Sequence, residues 1–100
     1  MNDIILELDL NNKDDLDFLN NLKSNLEVEI FKSEKLSGVD ITELIIAGIG
    51  LTAASIELIS NFYSLKKLKG TKSIKVKNKR IVLENLSAKE IKIILEKYIN

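Results

Sequence analysis

Cysteine and histidine are both absent from these 100 residues. Their absence excludes disulfides, zinc sites of the Cys/His kind, and catalysis by a thiolate or an imidazole. Proline is absent too, so uninterrupted elements are open to the chain anywhere. Arginine occurs once against fourteen lysines. The longest run without a charge is thirteen residues, Leu44 to Ile56. A membrane-spanning helix needs about 20 predominantly apolar residues, and shorter runs suit a buried core element. Glu43 and Glu57, which bound the run, would each cost a few kcal/mol in hydrocarbon.

Apolar residues make up 45% of the chain and charged ones 30%, a balance suited to one folded domain over residues 1–100 rather than to a disordered tail. The net charge of zero is unevenly distributed. Residues 1–50 hold eleven Asp/Glu against four Lys, and residues 51–100 hold eleven Lys/Arg against four Glu. Such a division either makes a dipolar surface that selects a partner or is cancelled where the halves interleave. The opening Met1-Asn2-Asp3 lacks the basic start of a secretory signal, so a cytoplasmic location is expected.

The pattern reads as a four-stranded α+β domain with three helices, in the order strand, helix, strand, long helix, hairpin, helix. Ile4, Leu6, Leu8 and Leu10 alternate with Ile5, Glu7 and Asp9, the period of a strand with one buried face. Asp14, Asp15 and Asp17 suit the start of a helix, where the dipole favours acids. Its buried stripe is Leu16 or Phe18, then Leu19 and Leu22, with Asn25 as its end. Leu26, Val28 and Ile30 alternate as a second strand, and strand–helix–strand could form a parallel unit.

Val39 to Gly70 reads as the central element. Asp40 and Glu43 form a capping box with Val39 and Leu44 as its staple. Lys66, Lys67 and Lys69 precede a terminal Gly70. This is one long apolar helix, or two hinged at Gly48 and Gly50, with the glycines allowing close approach to a sheet. Leu51, Ala54, Leu58, Phe62 and Leu65 continue at helical spacing. Ile74 and Val76 then define a third strand, Asn78-Lys79 a turn, and Arg80 to Glu84 a fourth. Ser87 and Glu90 form a second capping box, stapled by Leu86 and Ile91. The last helix buries Ile91, Ile94, Leu95 and Tyr98.

Motifs for chemistry are few. Gly48-Ile49-Gly50 lacks the third glycine and the lysine of phosphate-binding loops. Asp9, Asn11 and Asp15 imitate a calcium loop, but Asp14 stands where glycine is needed and Asn20 where a bidentate glutamate is needed. The chain therefore reads as non-enzymatic, without cofactor or metal.

Lys66, Lys67, Lys69, Lys72, Lys75, Lys77, Lys79 and Arg80 place eight cations within fifteen residues. They are the candidate partner-binding surface. Three occupants come into view: a protein or second copy, a nucleic acid, or a membrane reached with residues 41–59 as anchor. The single arginine, the lack of interleaved aromatics and the acidic first half argue against nucleic acid.

Leu36-Ser37-Gly38-Val39-Asp40-Ile41, leading into Ile46-Ala47-Gly48-Ile49-Gly50, is similar to the effector-associated constant component family of bacteria. So are the Leu-rich first helix, the basic end Leu65-Lys66-Lys67-Leu68-Lys69, the charged hairpin and the capped last helix. The resemblance covers nearly the whole chain. It implies a non-catalytic adaptor of bacterial conflict, or antiviral defence, systems. Such an adaptor couples to an effector such as a protease, or to an NTPase sensor, through protein–protein contacts.

Overall fold

The structure is a computed structural model, and it describes residues 3–32, 44–65 and 73–99. Eight elements follow one another: β1 (Ile4–Asp9), α1 (Lys13–Asn25), β2 (Glu29–Lys32), β3 (Leu44–Ile49), α2 (Ala53–Leu65), β4 (Ser73–Val76), β5 (Lys79–Val82) and α3 (Ala88–Glu96). The strands form a single antiparallel sheet in the order β2-β3-β1-β4-β5. The expected four strands are thus five, and the expected long apolar helix is absent from the described residues.

The correction centres on β3. The sequence pattern puts Leu44–Ile49 at the start of a helix, yet it pairs with β1 from Leu44↔Asp9 to Ile49↔Ile4 and with β2 on its other side. Its charge-free character has a different cause. A strand flanked on both sides, with one face under helices, carries a near-continuous apolar run that periodicity alone does not separate from a helix. Ile45, Ala47 and Ile49 are buried on the covered face. The helix begins only at Ala53, after a reciprocal cap: Ser55 N–H donates to Thr52 Oγ1 at 3.1 Å, and Thr52 N–H donates to Ser55 Oγ at 2.8 Å. The expected box at Asp40 and Glu43, its Val39 partner, the Ser33–Gly38 loop and the Gly70 stop lie outside the described residues. Residues 41–59 are therefore not a single anchor helix, and no helix among the described residues is long and apolar enough to cross a membrane.

Because β1 and β2 are both antiparallel to β3, they run the same way with β3 between them. Likewise β3 and β4 flank β1. The expected parallel strand–helix–strand unit is accordingly split, and it occurs twice. The first six elements have the β-α-β-β-α-β order of the ferredoxin-like arrangement, followed by β5 and α3.

One face of the sheet is covered. Ile4, Leu6, Leu8, Ile74 and Val76 join the residues of β3 there, with Phe18, Leu19 and Leu22 of α1, Ile56, Ile59 and Tyr63 of α2, and Ile91 and Leu95 of α3. Burying each such aliphatic side chain stabilises the fold by about 1.5–3 kcal/mol. On α1 the alternatives resolve to Phe18, since Leu16 is exposed. Asn12 caps this helix by accepting from the N–H groups of Asp14 and Asp15. Asp15 is buried and ties helix to sheet, its Oδ2 accepting from Asp9 N–H at 2.9 Å. The anticipated capping box of α3 is present in both directions between Ser87 and Glu90. Lys92 of α3 reaches Glu57 of α2 at 3.1 Å.

Candidate interaction surface

The opposite face of the sheet is left open by the described helices. Cross-strand partners share a face, so the register defines it residue by residue. Glu29 of β2 pairs with Gly48 of β3, Gly48 with Ile5 of β1, Ile5 with Lys75 of β4, and Lys75 with Arg80 of β5. One row therefore crosses all five strands, about 19 Å at the usual strand spacing. It begins with an acid, passes a glycine and an isoleucine, and ends with two cations. A neighbouring row sets Phe31 beside Ile46 and Ile46 beside Glu7, while Val82 stands opposite Ser73 at the other edge.

Exposure on this face differs from strand to strand, and Gly48 within the row is buried. Phe31 is 42% and Val82 51% exposed, and Ile5 and Ile46 are half-buried. Glu7, Glu29, Lys75 and Arg80 are exposed around them. The surface carries exposed Phe31 and Val82 on its two edge strands, Glu29 at the β2 edge, Glu7 on the central strand and cations on β4 and β5.

The basic segment is thereby divided. Lys66, Lys67, Lys69 and Lys72 lie outside the described residues. Of the remaining four, Lys75 and Arg80 share the open face, and Arg80 Nε donates to Ser73 Oγ at 3.3 Å. Lys79 pairs with Val76 and so falls on the other face. Lys77 is at the hairpin tip, where Lys77 and Asn78 have φ of 50° and 70°. Positive φ at both central residues is what a tight two-residue hairpin of the primed type requires. The turn is thus Lys77-Asn78 rather than Asn78-Lys79, and its Lys77 N–H donates to the Asp3 carbonyl at 2.8 Å. The described part of the charge run, residues 75–80, spreads over two faces and a tip.

Sequence reading misses Glu7, Glu29 and Phe31 as members of the surface. The alternation around Ile5 and Glu7 marks an outward face, but only the register aligns it with Glu29 and Lys75.

A second feature lies between α1 and α2. Asp14, Asp17, Phe18, Asn21, Leu58, Asn61 and Phe62 line an open cleft of about 420 Å³. Its floor is a pair of stacked rings, Phe18 and Phe62, with Tyr63 edge-on to both. Burial raises the Tyr63 phenol well above its ordinary value, and the charges of Asp15 and Glu7 add to that effect. Among the described residues no cluster of three or more Asp or Glu could hold a metal ion.

Comparisons with protein-family models, with curated proteins and with solved structures find no match to this chain.

Proposed function

We propose that this chain is a non-catalytic protein–protein interaction domain, an adaptor that works through the open face of its sheet. The observation that carries this reading is the row Glu29–Gly48–Ile5–Lys75–Arg80 beside exposed Phe31 and Val82. Exposed apolar side chains interspersed with charges of both signs suit a protein-binding surface. Opposite charges at its two ends set orientation and partner choice. A nucleic-acid groove would need cations along its length, whereas here Glu7 and Glu29 occupy half of the face.

The resemblance to the effector-associated constant component family supplies the setting: a bacterial conflict system in which the domain couples to an effector such as a protease, or to an NTPase sensor. A cytoplasmic site of action belongs to the same reading.

The test compares capture by the tagged full chain with capture by its Lys75→Glu/Arg80→Glu variant, from the native cells and from a solution of differently tagged chain. One protein, or the second copy, should be retained by the wild type and lost from the variant. Equal retention by both, or none by either, overturns the reading.

A further inference from the structure

We infer that the occupant of the open face is a second copy of this chain, in a two-fold dimer whose axis runs along the strands between β1 and β3. The inference rests on the proposal that this face is an interaction surface, and it names the partner. A two-fold contact joins the same patch on both subunits, so the patch must complement itself. The row across the sheet meets that condition. With the axis between β1 and β3, β3 of one copy covers β1 of the other, and β2 covers β4.

The consequences follow from the register. Gly48, buried within its own sheet, lies beneath Ile5 of the other copy where two sheets stack about 10 Å apart. Glu29 lies over Lys75 of the other copy, with Arg80 one strand further out on the same side. Glu7 falls opposite Ile46, so it does not meet its own symmetry mate. Every such contact occurs twice. Each reversed charge therefore disturbs two ion pairs at once.

Sedimentation of the purified full chain tests this at low and high salt, with Glu29→Lys, Lys75→Glu and the double exchange. The expected result is a dimer at low salt that weakens as salt screens the pairs. Either single reversal should raise the dissociation constant about tenfold or more, as loss of charge pairing at an interface does. The double exchange should restore dimerisation, because each pair across the interface is then again a cation facing an acid, with the signs interchanged. Circular dichroism of the four proteins separates loss of association from loss of folding. A wild type that stays monomeric, or a double exchange that stays as weak as the singles, overturns the dimer. If the wild type is monomeric while Lys75→Glu/Arg80→Glu still abolishes capture of a different protein, the face belongs to that protein. The dimer then fails and the adaptor reading stands. Saturable binding of a single-stranded RNA oligonucleotide by the wild type, abolished by the same pair, overturns both.

Discussion

The ring of Phe18 on α1 lies flat against the ring of Phe62 on α2, with centroids 3.9 Å apart and planes 4° from parallel. Tyr63 of α2 adds edge-on contacts to both rings. Phe18 is also part of the core, whereas Phe62 is half-buried. Phe18→Ala should therefore destabilise by about 3–5 kcal/mol, as truncation of a core phenylalanine does. Phe62→Ala should cost clearly less. Denaturant unfolding of both variants gives the comparison, and equal losses would mean that the stack rather than the core burial of Phe18 dominates.

Neighbouring isoleucines on β3 make a sharper test of the strand. Ile45 is buried under the helices and Ile46 is half-buried on the open face. Ile45→Ala should cost about 2–5 kcal/mol. Ile46→Thr, which keeps a β-branched side chain on an open sheet face, should cost about 1 kcal/mol or less. A helix through the same residues would not produce this strict alternation. The same geometry changes the expectation for Gly48: it is a buried strand residue between β1 and β2, so Gly48→Val should lower the melting midpoint by crowding its cross-strand neighbours.

Tyr63 provides a pH signature at the alkaline end. Its folded-state value is raised above the ordinary 10.0 by burial, then by Asp15 and Glu7. The stability held by the neutral phenol is fully present below the unfolded value and is lost as pH rises from it toward the folded one. Between about pH 10 and 12 the wild type should lose stability more steeply than Tyr63→Phe, which has no phenol to ionise at this site. Parallel profiles would remove Tyr63 from the alkaline transition.

An acid-side signature comes from α3. The Ser87 backbone N–H, and after it the Ser87 hydroxyl, hold the Glu90 carboxyl below its ordinary 4.5. A depressed carboxyl stabilises the fold above its unfolded value, and that contribution disappears as pH falls through the folded one. The difference in melting temperature between wild type and Glu90→Gln should therefore be larger at neutral pH and shrink on acidification. A difference independent of pH would place the effect in helix propensity instead. Ser87→Ala, which removes the cap itself, should cost about 1 kcal/mol.

Local chemistry is enough to specify several elements from the sequence alone. The alternation Ile4, Leu6, Leu8 dictates β1 and its buried face, because a period of two leaves only one face for the core. Ser87 and Glu90 dictate where α3 begins, because the two side chains satisfy backbone donors within a single turn. The closing hairpin is legible to within one residue, with Asn78 tolerating positive φ. Tertiary structure decides the rest. Leu44–Ile49 is apolar because it runs between two strands and beneath helices, and its composition serves a helix equally well until its neighbours are known. Thr52 and Ser55 then cap a helix that starts well beyond the Asp40 box to which local chemistry points. The surface is hidden for the same reason. Glu29, Gly48, Ile5, Lys75 and Arg80 come from five separate strands, and only hydrogen-bonded register brings them into one row. Side chains can show which face of a strand is buried; which strands lie side by side depends on how the helices cross the sheet.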